Sequence, residues 1–414
     1  MKFGLLGYNE GLDGLLGCIA THSDHQVTLA CTDTPCGHLS PTTPCHPAAH
    51  WEGLLNHPDM DVVIVAAPGS FQSGMDDQLR KLAQTGMRLL VQHPACESIV
   101  GYEIEMIRVE YGSNIHPFVP GLFHPYTTMI AGWITDPESS PIGTLQLLSM
   151  ERQPSSYFRE EIMRQFSGDL VLLEHLVGGA RSLHAAGSPH DASEWRQLNL
   201  NVVSETGNLV SWNLHRRDGN PGTRILVGGE SGQAVLELDA QGRVSLDIQK
   251  EGQGHDLMPA SPFDATILEN LLRPTAGEDQ WYRAARAMEF SETIPYCLRR
   301  ERAVELPDEP PSESRSFKGA MSIASCGILL AILGILFAYA ILEGFRFPGR
   351  HNEYLLQLDQ AQAQAQAPAA SPEQPFLVRI WPVYPILLFL LLQFLLVLAR
   401  KKNSATISSP DRTV

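Results

Sequence analysis

The sequence has little charge and no basic excess. Only 18% of its 414 residues are Asp, Glu, Lys or Arg, and 46 acids against 30 bases give a formal charge of -16. A chain of that sign repels phosphate backbones, and no basic stripe or aromatic-studded groove offsets it, which argues against nucleic acid as a partner. A secretory start is also missing: MKFGLLGYNEG breaks into glycines and acids where a signal needs a continuous apolar stretch and a cleavage site. Cysteine is sparse. Seven residues, an odd number without framework spacing, argue against a disulfide scaffold and suit free thiols in a reducing compartment. Neither a G-x-S-x-G elbow nor a G-x-x-x-x-G-K-[ST] loop occurs, so hydrolase and P-loop readings have no support.

Long apolar runs are present, and both lie near the end. Ala320 to Leu342 holds 23 residues without a charge, about 35 Å of helix, enough for a hydrocarbon core of roughly 30 Å. Ile380 to Ala399 gives a second run of 20, with Trp381 and Tyr384 at its interfacial start and Arg400, Lys401 and Lys402 stopping it. The expectation is two transmembrane helices, 320–342 and 380–399, joined by a polar loop at 343–379 and followed by a basic tail at 400–414. Positive residues flanking the spans place both termini and the soluble head on the cytoplasmic side of an integral membrane protein. Gly327 and Ala331, four apart, would let helices approach, leaving homo-oligomer formation open.

The remaining 300 or so residues read as a two-part head, connected by a Pro- and Ser-rich linker at 308–319. Lys2 to Gly7, Val27 to Cys31, Asp61 to Ala67 and Met87 to Val91 are short apolar runs, and DVVIVAA has the unbroken character of a parallel strand buried on both faces. With helical spacing between them, residues 1–120 predict a Rossmann-like doubly wound parallel sheet, whose ligand crevice lies at the carboxyl ends of its strands. From 121 to 307 the strand-like runs Gly143 to Met150, Leu209 to Arg216, Thr223 to Val227, Ala234 to Leu238 and Val244 to Ile248 predict an α+β domain with a mostly antiparallel sheet. Helical patterns at Phe263 to Leu272 and Gln280 to Thr293 close it. The Cys- and His-rich stretch from Cys31 to His50 matches no metal-ligand spacing and is read as a loop.

FGLLG at the first strand, MDVVIVAAP in the middle, GMRLLVQHPA, LFHP, PIG, SGDLVLLEH and AARAMEFSETIPYCLRRERAVEL follow one another in the order seen in the Gfo/Idh/MocA family of glucose-fructose oxidoreductases and inositol dehydrogenases, which the head resembles over residues 1 to 307. The resemblance implies NAD or NADP as cofactor and a sugar or cyclitol as substrate. It places the phosphate-binding turn at Gly7, where Asn9 and Leu12 stand at the family's other two glycine positions and Gly11 is displaced by one. It also implies cofactor contacts from Asp33, Ala67, Pro68, Gln92 and Pro94. His93 stands where the family has the lysine of Glu-Lys-Pro. Glu174 stands at the later acid, and Gly178 where the family has its proton-transferring His, with His175 three residues before it.

Two functions follow. One is a membrane-anchored relative, catalytically inactive or altered, that binds a nucleotide, a small sugar-like ligand or a protein partner as a scaffold at the cytoplasmic face. The other is an NAD(P)-dependent oxidoreductase acting on a sugar or cyclitol hydroxyl, with His93 as its leading catalytic candidate and Glu174 and His175 behind it. An open pocket bounded by residues 7–11, 67–72 and 92–94 favours a cofactor; a turn closed by its own side chains counts against one.

Overall fold

The structure, a computed structural model, describes residues 1–57, 60–67, 75–214, 221–239, 242–250, 255–272, 280–308 and 333–334. Met1–Pro310 form one compact unit and Pro311–Val414 a second; the description below concerns the first.

Its opening elements are β1 (Lys2–Leu6), α1 (Asp13–Thr21), β2 (Gln26–Cys31), β3 (Cys45–His46), α2 (Glu52–Leu55), β4 (Val62–Val65), α3 (Met75–Gln84), β5 (Arg88–Gln92), α4 (Ser98–Tyr111) and β6 (Asn114–Phe118). The six strands are parallel and lie in the order β3-β2-β1-β4-β5-β6. All four residues of β4 are buried because the sheet is covered on both sides. The pleat sends Phe3, Leu5, Val62 and Ile64 into one core with Leu15 and Leu16 of α1, and Leu6, Val63 and Val65 into another with Leu79 and Leu82 of α3 and Ile104 of α4.

The chain continues through α5 (Pro125–Thr135), β7 (Leu145–Gln153), α6 (Arg159–Val177), β8 (Ala180–Gly187), β9 (Leu198–Ser204), β10 (Leu209–Leu214), β11 (Gly222–Gly229), β12 (Gly232–Asp239), β13 (Val244–Lys250), β14 (His255–Ser261), α7 (Ala265–Leu272), α8 (Gln280–Arg300) and β15 (Val304–Glu305). These strands form a nine-stranded sheet, β14-β13-β12-β11-β7-β10-β9-β8-β15, antiparallel except where β7 lies beside β10. Alternation is clean in β9, where Leu198, Leu200 and Val202 are buried and the residues between them are half-exposed. The buried face packs on α6 through Phe166, Leu170 and Leu173, with the rings of Phe166 and Trp212 edge to face at 5.5 Å. Sequence periodicity leaves several elements unmarked, among them α4, α5, β6, β8, β9 and β14, and it assigns α7 to the second domain. In the structure Leu268 and Leu271 of α7 return to the first core beside Leu12, Leu15 and Leu16.

Among the described residues the fold class is a Rossmann-like parallel sheet followed by a mostly antiparallel one, and the two transmembrane helices expected from hydropathy are not found there. Among the described residues no helix is long and apolar enough to cross a membrane. Apart from Leu333 and Gly334, the stretches 320–342 and 380–399 lie outside the described residues, as do the polar loop and basic tail. The bilayer contact, the integral-membrane localisation and the cytoplasmic orientation all rested on those helices, and they are withdrawn with them.

Candidate active site

The order in which the chain adds strands to the parallel sheet reverses between β1 and β4, and the carboxyl ends of these two strands mark the place where such sheets bind ligands. Gly7 leaves β1 with φ of 72°, a left-handed conformation that glycine adopts without steric cost, and its N–H donates to the Cys31 carbonyl at 2.8 Å. A side chain there would also meet the Ala66 Cβ at 3.2 Å. The first glycine of the turn thus does what a phosphate-binding turn requires of it.

The next two positions behave differently. Asn9 caps the turn at Glu10–Leu12: its Oδ1 accepts from the Gly11 N–H at 2.9 Å. Its Nδ2 donates to the Ala67 carbonyl at 3.0 Å and to Gln92 Oε1 at 2.7 Å, and Gln92 Nε2 donates back to Asn9 Oδ1 at 3.0 Å. Gln92 Oε1 also accepts from the Ala67 N–H at 2.9 Å. Two side-chain amides therefore bridge the ends of β1, β4 and β5. Gly11, the displaced glycine, makes room for Gln92: a Cβ built there would collide with Gln92 Nε2. Leu12 is fully buried in the core beneath α1. Pro68 lies outside the described residues.

Other polar groups of the crevice are also committed. Asp33, the acid at the end of β2, is exposed and accepts from the Ala48 N–H at 3.0 Å, anchoring the turn at Ala48–His50. Thr32 is buried and bonds the Thr34 backbone. Asp13, at the start of α1, accepts from the Tyr8 hydroxyl at 2.6 Å and lies 3.5 Å from His38 Nε2; its bond with Tyr8 pushes that phenol up to about 12. Glu10 and Asp13 place negative charge at a helix start that would otherwise attract a phosphate.

His93 follows β5 and is buried, 7% exposed. Its backbone N–H donates to the Phe118 carbonyl of β6 at 2.9 Å, and its Nε2 lies 2.8 Å from Ser167 Oγ on α6. Its Nδ1 is buried without a hydrogen-bond partner. Desolvation, partly offset by Ser167, lowers the imidazole to about 3, so the ring is neutral throughout the physiological range. Pro94 is buried beside it. A second imidazole, His124 just after β6, is 2% exposed; its Nδ1 accepts from the Tyr126 N–H at 3.2 Å and its Nε2 is buried without a partner.

Glu174 is not part of this cluster. It sits seven residues beyond Ser167 on α6, two turns or about 10 Å along the axis. Its Oε1 accepts from the Ala180 N–H at 2.8 Å, its Oε2 is buried without a hydrogen bond, and desolvation raises it to about 7 against the opposing pull of that N–H and of Arg286. His175 is exposed, and Gly178, with φ of 90°, ends the helix. The residue of α6 that faces His93 is Ser167, which lies inside the SGDLVLLEH motif and was passed over when the motif was registered on Glu174. Among the described residues no cluster of three or more His, Cys, Asp or Glu is placed to hold a metal ion.

The left-handed Gly7 suits the backbone of a phosphate-binding turn, but the Asn9 and Gln92 side chains close that turn and Asn9 takes the Gly11 amide, an arrangement that counts against a dinucleotide as it stands. Two surface clefts, of about 330 and 430 Å³, lie elsewhere, one over Glu151, Arg224 and Arg243 on the large sheet and one between His25, Thr28 and Thr43 beside β2.

No family model matches the sequence, and no curated protein matches it either. Solved structures do share its fold. The WlbA dehydrogenase of Bordetella pertussis, in complex with NADH and UDP-GlcNAcA, superposes with a TM-score of 0.55 at 18% identity over 75% of this chain and 99% of its own. The aldose-aldose oxidoreductase of Caulobacter crescentus, complexed with glycerol, gives 0.58 at 14% identity over 74% and 99%. An oxidoreductase of Agrobacterium radiobacter, in complex with NAD+, L-tartaric acid and magnesium, gives 0.55 at 14% over 74% and 98%. At such identities the likeness establishes the fold and leaves the chemistry to the residues.

Proposed function

We propose that this chain is an oxidoreductase of the Gfo/Idh/MocA type that uses NAD or NADP to act on a hydroxyl of a sugar or cyclitol, with residues 1–120 as the cofactor domain and 121–307 as the substrate domain. The observation that carries the reading is the unpartnered Nδ1 of His93 just after β5, in a fold shared with a dehydrogenase in complex with NADH and an oxidoreductase in complex with NAD+. Gly7, Gly11 and Ala67 would hold the cofactor, which supplies the hydride acceptor when bound.

His93 supports this chemistry in a particular way. With its pKa lowered to about 3, a proton on the ring at pH 7 is disfavoured by a factor of about 10⁴. The imidazole is therefore suited to holding a substrate oxygen by a hydrogen bond through Nδ1 rather than to storing its proton. Ser167, fixed on α6, holds Nε2 and with it the tautomer and the ring plane. A neutral imidazole polarising an oxygen is established chemistry for this side chain.

The test is saturation of the full-length protein with NADH and NADPH, followed by fluorescence, then a screen of sugars and cyclitols for turnover with His93→Ala as control. Micromolar to submillimolar binding and turnover lost in the variant support the reading; absence of binding at millimolar cofactor sinks it. A second reading, a ligand-binding relative without hydride transfer, is favoured by the Asn9–Gln92 bridge over the phosphate turn. It predicts sugar binding with no cofactor binding.

A further inference from the structure

A phosphate-binding turn works by leaving backbone N–H groups free to meet an anion and by keeping side chains out of the anion's way. Here the Gly11 N–H is taken by Asn9 Oδ1. Asn9 and Gln92 each carry an amide with two donor hydrogens and two acceptor positions, eight in all. The bonds among Asn9, Gln92, Gly11 and Ala67 fill seven of them: Asn9 Oδ1 accepts twice, Asn9 Nδ2 donates twice, Gln92 Oε1 accepts twice and Gln92 Nε2 donates once. The partners are 83 residues apart in sequence and join the ends of three adjacent strands. Their room comes from Gly11, whose missing Cβ is the space that Gln92 Nε2 occupies.

We propose that Asn9 and Gln92 form a clasp that competes with the cofactor's pyrophosphate for the Gly11 amide, so that the clasp sets how tightly this chain holds a dinucleotide. The proposal rests on the NAD(P) reading above and assigns these two residues a role opposite to a simple contact: they oppose the bound anion until exchanged. Removing Asn9 frees the Gly11 amide and returns glycine to the second position of the turn, and removing Gln92 takes away the amide that holds the Asn9 side chain over it. Because Gln92→Ala leaves the Ala67 N–H without its acceptor, Asn9→Gly serves as the second variant, and thermal melts establish that each is folded.

The test is isothermal titration of full-length wild type, Asn9→Gly and Gln92→Ala with NADH and, separately, with inorganic pyrophosphate. The expected result is at least tenfold tighter binding of both probes by each folded variant than by wild type. Tighter pyrophosphate without any NADH binding would uphold the clasp while removing the NAD(P) reading. Equal or weaker binding of pyrophosphate by both variants, whether or not wild type binds NADH, would overturn the clasp.

Discussion

His93 Nε2 and Ser167 Oγ lie 2.8 Å apart, both side chains buried, and this single contact joins the end of β5 to the middle of α6 across 74 residues of sequence. It fixes one ring nitrogen and leaves the other, Nδ1, without a partner. Removing the hydroxyl in Ser167→Ala should leave Nε2 unsatisfied in a dry site and lower stability by about 1–3 kcal/mol. Chemical denaturation measures it, and Ser167→Thr, which keeps the hydroxyl, should recover part of the loss.

The neutral state of His93 has a consequence for acid stability. Its pKa drops from 6.5 to about 3 on folding, so between those values the unfolded chain binds a proton that the folded one does not. Its contribution is fully present above 6.5 and is lost as pH falls toward 3, at about 1.4 kcal/mol per pH unit. Denaturation midpoints measured from pH 7 down to pH 4 should show this slope, and His93→Gln should abolish it.

Glu174 runs the other way. Burial raises it from 4.5 to about 7, so the folded chain binds the proton and the contribution, complete below 4.5, is lost as pH rises through 7. Glu174→Gln keeps an acceptor for the Ala180 N–H and removes the titration. At pH 8 it should be more stable than wild type by about 1–3 kcal/mol, with no gain at pH 4. Between 4.5 and 6.5 the two residues nearly cancel in wild type, and the single variants separate them.

Gly11→Ala should destabilise the protein by about 1–3 kcal/mol, because the new Cβ meets Gln92 Nε2. The loss should shrink in the Gly11→Ala, Gln92→Ala double variant, and the coupling energy from that cycle measures the contact directly. Additive effects would place the strain elsewhere.

Arg286 is buried, 3% exposed, and its Nη1 lies 2.7 Å from Asp308 and 3.5 Å from Glu205, while Nη2 donates to the carbonyls of Ala180 and Leu306. It secures residues 304–308, which add β15 to the edge of the large sheet. Arg286→Met should cost about 3–5 kcal/mol through the carboxylates and carbonyls left without it. Hydrogen exchange at Val304 and Leu306 should then quicken ahead of the sheet interior, and equal protection in the variant would show that Arg286 does not hold the strap.

Much of the fold was legible before any coordinates. DVVIVAA could be read as a strand buried on both faces because a parallel sheet covered by helices demands an unbroken apolar run, and β10, β11 and β13 alternate because one face of their sheet is half-exposed. The departure of Asn9 from a glycine pattern was equally visible. The apolar runs at 320–342 and 380–399 lie outside the described residues apart from Leu333 and Gly334, and among the described residues no helix is long and apolar enough to cross a membrane.

What the sequence determined by itself was much of the succession of strands and helices and the placing of Asn9 and Leu12 in the turn after Gly7. The tertiary structure decided which groups meet there. That Gln92 answers Asn9, that Ser167 rather than Glu174 answers His93, and that α7 returns to cover α1 depend on packing between segments far apart in the sequence, as Leu12 is from Leu271. Local periodicity fixes which face of an element is apolar; only the closed core fixes which polar atoms are left within hydrogen-bonding distance of one another.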